Sequence, residues 1–233
     1  GFGWLRLDVV QLERTDDGGV KALLLFDVVE KDRMAERYPF RPAPTKDVKD
    51  ASGLLDKWAE YAEAARASAL SGAGELKRTA CPAYYCPEGF GTDEMNALEK
   101  RFQEEVPGYK QLLLQVLRED ADPAKRARAL YLLTYLPDAS DVSALVSSGI
   151  ADPDPLVREA AITILNDMAV HRMDVQLPVR DIARLLDYPG AQDRQNGLAL
   201  FLSLSGNKDY ESLIYGPAAA QVRSPRAGWS MTP

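Results

Sequence analysis

Histidine occurs once in the 233 residues, at His171, and cysteine twice, at Cys81 and Cys86. That scarcity excludes much chemistry. A Ser-His-Asp or Cys-His arrangement would have to pass through His171, which falls in Val170-His171-Arg172, where the end of an expected helix offers a cation its dipole and last carbonyls. A structural zinc site wants four ligands, and two cysteines with one histidine fall short. There is no His-Glu-x-x-His pair, and no glycine-rich loop joins a strand to a helix as nucleotide binding requires. Gly1-Phe2-Gly3 has no strand before it, and Gly72-Ala73-Gly74 follows a helical pattern. Asp16-Asp17-Gly18-Gly19 lacks the spaced oxygen ligands and closing glutamate of a calcium loop. The expectation is therefore no catalytic residue, no metal and no cofactor. Carboxylates are plentiful, but most fall at helix starts or on polar faces, where capping and solvation account for them.

Long apolar runs are also missing. The richest stretch, Val20 to Val29, is interrupted by Lys21 and Asp27 and is far shorter than the roughly 18 residues that span a bilayer. Positive charge is in deficit throughout, with a net charge of -7. Up to Asp120 there are 17 basic and 22 acidic residues, and beyond it 11 and 13. Attraction to phosphate depends on Lys and Arg displacing counterions, so no nucleic-acid partner is expected.

The two cysteines sit in Cys81-Pro-Ala-Tyr-Tyr-Cys86-Pro. The simplest reading is a local disulfide, which implies an oxidising compartment, periplasmic or secreted. Two free buried thiols, in a cytoplasmic protein, are the plain alternative. Redox chemistry normally uses two intervening residues rather than four. The sequence opens Gly-Phe-Gly-Trp without a methionine, which fits either a cleaved leader or an internal boundary.

What is present is amphipathic. Trp4 to Leu12 and Val20 to Val29 flank Arg14-Thr15-Asp16-Asp17-Gly18-Gly19, the pattern of a β-hairpin. Val20, Ala22, Leu24, Phe26 and Val28 alternate onto one face, which predicts burial of that face against helices. Pro39, Pro42 and Pro44 among mixed charges predict an irregular surface connection over 31–50. Leu54, Leu55, Trp58, Tyr61, Ala62, Ala65 and Ala69 then recur at helical spacing behind the N-cap candidate Ser52. The loop Thr79 to Gly91 carries Tyr84, Tyr85 and Phe90; its aromatics are expected to pack on neighbouring helices or to form a recognition patch.

After Gly91 helices follow one another. Thr92 is positioned to cap one whose apolar stripe is Met95, Leu98 and Phe102, and Val106-Pro107-Gly108 is expected to end it before a further helix with Tyr109, Leu112, Leu113, Val116 and Leu117. An internal repeat then appears. Asp122-Pro123-Ala124-Lys125-Arg126-Ala127-Arg128-Ala129-Leu130 aligns without a gap to Asp154-Pro155-Leu156-Val157-Arg158-Glu159-Ala160-Ala161-Ile162, an offset of 32 residues. Arg194, Gly197, Leu198 and Phe201 fall 36 residues after Arg158, Ala161, Ile162 and Leu165, preceded by Asp193 in place of an Asp-Pro pair. Proline suits a first helical turn, and the aspartate before it caps the exposed amides. The arginine four positions after that aspartate is placed to meet it or its equivalent in the adjacent repeat. Asp141 to Ile150 and Pro178 to Leu186 read as the partner helices of the second and third copies.

The Asp-Pro-x-Val-Arg-x-x-Ala stretch at Asp154 to Ala161 resembles the HEAT repeat family, in which it opens the second helix of each hairpin. The resemblance covers about 108–205, and 207–215 can start another unit. It implies a mainly α fold: a right-handed α-solenoid of HEAT-like hairpins, preceded by an N-terminal β-hairpin and a capping helix. The organisation expected is 1–91 for the N-terminal region, 92–215 for the helical repeats and 216–233 for an extended or disordered tail. In such a stack the second helices usually line the concave side, which leaves Tyr131, Tyr135, Thr163, Asp167, Ala199 and Ser203 as the expected contact ridge, with Trp229 as a docking residue of the tail. The function that follows is a non-enzymatic protein-protein interaction scaffold or adaptor, in the role of a subunit of an extracytoplasmic assembly. Since some HEAT-like proteins are lyases or chaperones, the alternative is an enzyme or ligand-binding protein with its site between the N-terminal region and the solenoid.

Overall fold

The computed structural model describes residues 2–15, 18–33, 40–71, 81–87, 92–171, 175–188, 190–206 and 210. Among them a two-stranded antiparallel sheet, β1 (Phe2–Arg14) and β2 (Val20–Glu30), precedes seven α-helices. The turn between the strands closes through the amide of Gly18 donating to Thr15 O at 2.9 Å and that of Thr15 to Gly19 O at 3.0 Å. Gly18 has φ 81°, a left-handed conformation that glycine adopts without a Cβ penalty.

The strand pairing follows the expected hairpin, but the burial does not. Val20, Ala22, Leu24 and Phe26 are exposed and Val28 is half-buried, whereas Val29, which alternation places on the opposite face, is buried. Alternation tells which side chains share a face; where the chain goes next decides whether anything covers it.

After β2 the segment 40–50 runs extended along the ends of the helices as a strap. The amide of Arg41 donates to Ala151 O at 2.8 Å, and that of Lys46 to Glu119 O at 3.0 Å. The amide of Ala121 donates in turn to Lys46 O at 2.6 Å. Phe40 meets Tyr188 edge-on at 5.1 Å, and the Arg158 guanidinium lies 4.4 Å above the Phe40 ring.

Helix α1 (Leu54–Ser71) starts where Ser52 Oγ accepts from the Leu54 amide and Asp50 Oδ2 from that of Leu55. It buries Leu54, Leu55, Trp58, Tyr61 and Ala65, while Ala62 is exposed. Helix α2 (Asp93–Glu119) is capped by Thr92 and runs unbroken through Pro107 and Gly108, so the expected stop there is absent. An interior proline costs about 3 kcal/mol. Phe102 and Val106 before it, and Leu113, Val116 and Leu117 after it, are nonetheless at most 1% exposed. One continuous buried stripe outweighs the lost backbone bond.

Three hairpins follow from the second half of α2. Helix α3 (Pro123–Leu133), α4 (Ala139–Ser148), α5 (Pro155–His171), α6 (Val179–Arg184) and α7 (Ala191–Ser205) complete them, with short 3-10 turns after α4 and α6. Asp122 and Asp154 cap α3 and α5 by accepting from the Ala124 and Leu156 amides. Occupied in this way, neither carboxylate meets the repeat arginine. Arg126 instead reaches the next hairpin, where its fork is held by Asp152, two residues before Asp154, at 3.0 and 2.8 Å. Arg158 repeats the step onto Asp193 at the same distances. Arg126, Arg158 and Arg194 each donate also to the carbonyl six residues upstream, of Asp120, Asp152 and Tyr188. A ladder of buried charge thus ties each hairpin to its successor.

Candidate functional site

Helices α3, α5 and α7 carry the repeat positions at which a contact ridge was expected, and the structure divides them. On α5 and α7, Thr163 and Ala199 are exposed, while Asp167 and Ser203 are half-buried. Ser203 Oγ lies 3.0 Å from Asn166 Oδ1, and Asp167 Oδ1 lies 3.6 Å from His171 Nε2. On α3 the ridge is covered. Tyr131 stacks on Trp58 of α1 with ring centres 5.1 Å apart and packs against Tyr85 at the same distance. Tyr135 is 5% exposed, against Phe102 and Trp58. Tyr135 is therefore no exposed anchor, and Tyr131 is half-buried: the aromatic surface that makes tyrosine a good contact residue is taken up by the N-terminal region. Trp229 lies outside the described residues, as do 216–233, Phe90 and Gly72-Ala73-Gly74.

The cysteine loop is part of that cover. Cys81 and Cys86 stand at disulfide distance, with Cα atoms 5.8 Å apart. Between them the amide of Tyr84 donates to Thr134 O at 3.0 Å, and the Tyr84 hydroxyl to Pro137 O at 3.1 Å. The loop is thus fastened to the last turn of α3 and the turn beyond, and it delivers Tyr85 onto Tyr131.

Beneath lies one polar group that the sequence did not single out. Glu99 of α2 accepts from the Tyr61 hydroxyl, while the Tyr135 hydroxyl is buried with no hydrogen-bond partner among the described residues. Burial pushes the Glu99 carboxyl above the usual carboxylate range, and the Tyr61 bond only partly opposes this. Burial likewise raises the phenols of Tyr61, Tyr131 and Tyr135, so all three stay neutral. His171 is exposed at the end of α5. No group of three or more His, Cys, Asp or Glu is placed to hold a metal ion among the described residues, and no helix there is long and apolar enough to cross a membrane.

What remains open is the outer row of α5 and α7: Glu159 and Thr163 on one, Gln195 and Ala199 on the other, bordered by Leu198 and Leu202, which are 53% and 65% exposed. Residues 111–195 match the family model for HEAT repeats. This segment is a HEAT-repeat region. Searches of curated proteins and of solved structures found no match to the chain. HEAT repeats generally mediate protein-protein interaction; Glu159, Thr163 and Gln195 of the open row fall within the matched segment, and Leu198, Ala199 and Leu202 lie just beyond it. Periodicity located those positions; it could not show that the first hairpin would be roofed over, because the roof over Tyr131 comes from Trp58 and Tyr85, 73 and 46 positions earlier in the chain.

Proposed function

We propose that the protein is a non-enzymatic scaffold whose HEAT region, wound as a right-handed solenoid, holds a protein partner along the outer row of α5 and α7. The observation that carries this is the contrast within one set of equivalent positions. Tyr131 and Tyr135 are covered by the chain itself, whereas Thr163 and Ala199 are bare and small, flanked by Glu159, Gln195 and exposed leucines. A bare row of this kind accepts another backbone closely, with aliphatic contacts at its centre and polar ones at its rim. In the double variant Thr163→Arg, Ala199→Arg, partner capture from a native envelope fraction drops at least tenfold, while the distant surface change Arg184→Glu leaves it intact. Retention of every partner by a double variant that melts like the parent would remove the row from consideration.

The protein's setting is proposed to be an oxidising, extracytoplasmic compartment, in an assembly that this scaffold helps to hold. The Cys81 and Cys86 pair supports that reading. Intact mass after alkylation shows two added groups only when a reductant is supplied first. Full alkylation without reductant would place the protein in a reducing compartment instead.

A further inference from the structure

Edge strands are normally blunted by bulges, proline or charge, and the two strands of the hairpin differ in this respect. Among the described residues the sheet consists of β1 and β2, so each strand presents one outer edge. Pairing skips Gly3 and Val10 on β1, whereas β2 pairs from Val20 to Glu30 without a skip and holds neither proline nor glycine. Bulges twist the edge of β1 away from a straight partner. The edge of β2 is a regular row of open backbone groups, and Val20, Leu23, Leu24 and Phe26 along it are all exposed.

The turn fixes which groups face outward. The Thr15 amide donates to Gly19 O, and the direction of N-H and C=O alternates from residue to residue along a strand. Lys21 and every second residue after it therefore bond to β1, and the backbone groups of Val20, Ala22, Leu24, Phe26 and Val28 point away from it. A second copy of β2, laid antiparallel on this edge, satisfies those groups only in registers that set even positions opposite even ones.

One such register also matches the charges. Centred on Leu24, it sets Lys21 opposite Asp27 of the second copy, Ala22 opposite Phe26, Leu23 opposite Leu25 and Val20 opposite Val28. A slip of two residues either way puts Lys21 opposite Leu25 or Val29, and Asp27 opposite Gly19 or Leu23. Within each chain β1 already sets Arg6 opposite Asp27 and Glu13 opposite Lys21. Four strands in this register thus carry two rows of alternating sign, each reading Arg6, Asp27, then Lys21 and Glu13 of the other copy. The rows are twofold images of one another, so the match closes on a pair of chains. Charges that would deter an unrelated apolar strand are the ones another copy satisfies.

We propose that β2 is a self-association edge, on which two copies of the chain pair antiparallel about Leu24 into a four-stranded sheet. Main-chain hydrogen bonds at the even positions hold the pair, and the two charge rows fix its register. A two-stranded hairpin is marginal by itself in water, and the added strands relieve that weakness. The edge shares no residue with the row on α5 and α7.

Sedimentation equilibrium of the full chain is expected to show monomer and dimer in exchange, unchanged by Thr163→Arg with Ala199→Arg. Lys21→Glu and Asp27→Lys each turn two attractive pairs into two repulsive ones, which weakens self-association about tenfold. Mixed in equal amounts, the two variants regain the parent's affinity as a heterodimer, a result that misfolded chains could not give. Leu24→Cys supplies a reading with both charges intact. Leu24 meets its own copy at a Cα separation of about 5.5 Å, within disulfide reach, so mild oxidation yields a covalent dimer linked at that residue, whereas Val20→Cys yields none. A chain that stays monomeric, a dimer that both charge variants leave intact, or a mixture that regains nothing would overturn the proposal. Assemblies that grow beyond the dimer would do the same, since a twofold pair is closed.

Discussion

Glu99 is half-buried on α2, and the Tyr61 hydroxyl donates to its carboxylate. A carboxyl whose folded-state value is raised opposes folding once it ionises. Its penalty is absent below the ordinary value and grows as pH rises through the raised one. Glu99→Gln keeps an oxygen for the Tyr61 hydroxyl and removes the charge. Its melting temperature should therefore exceed the parent's at pH 7 and equal it at pH 4, which a pair of thermal scans decides; a lower value at pH 7 would mean that the charge has a partner that matters. The composition offered no pointer to this residue. Glu99 sits among the many helical carboxylates that capping and solvation explain, and only the fold brings the Tyr61 hydroxyl of α1 to it.

At the scale of the element, small residues let the two helices of a hairpin close. Ala129, Ala161 and Gly197 share one repeat position. At Gly197 an added Cβ would lie 2.6 Å from the Cβ of Leu185, with the Leu185 backbone at 3.5 Å behind it. A β-carbon cannot swing aside as the end of a long side chain can, so α7 itself must shift. Gly197→Ala is expected to cost about 1–3 kcal/mol, the usual range for overpacking, read as a lower midpoint in urea with an unchanged slope. The third hairpin is also where the motif departs from its pattern, and the departure has a structural answer. Tyr188 stands where the other hairpins have Asp120 and Asp152, and Asp193, at the position of Lys125 and Val157, supplies the missing carboxylate to Arg158. Burial lifts the Tyr188 phenol to about 12, and its hydroxyl donates to Ile150 O.

Across the whole molecule the ladder and the strap converge on Asp152. Its side chain is fully buried and accepts from Arg126, Arg41 and the amide of Asp154. Burial alone would push its carboxyl up, but the hydrogen bonds from Arg126 and Arg41 outweigh burial and bring it below the ordinary 3.8. A lowered value means that the stabilisation is present in full above the ordinary value and is lost as pH falls through the folded-state one. Removing one partner of a buried ion pair costs about 3–5 kcal/mol, and Asp152→Asn should lose on that order at pH 7. Denaturant titrations of variant and parent should converge only once pH has fallen well below the ordinary value and through the lowered folded-state one, where the parent's carboxylate is protonated. A gap that persists there would mean the loss comes from packing.

Sequence periodicity by itself determined the helices, their caps at Asp122, Asp154 and Thr92, the pairing of β1 with β2 and the 32-residue repeat, because each depends on residues within one or two turns or one short loop. Tertiary structure decided the rest. It covered Tyr131 and Tyr135 with α1 and the cysteine loop, left the alternating face of β2 bare, carried α2 through Pro107, and brought Arg41 to Asp152 across 111 residues. Those outcomes depend on which distant surfaces meet, and hydrophobic burial is non-directional. A stripe of apolar side chains states that something must cover it, and only the path of the whole chain states what does.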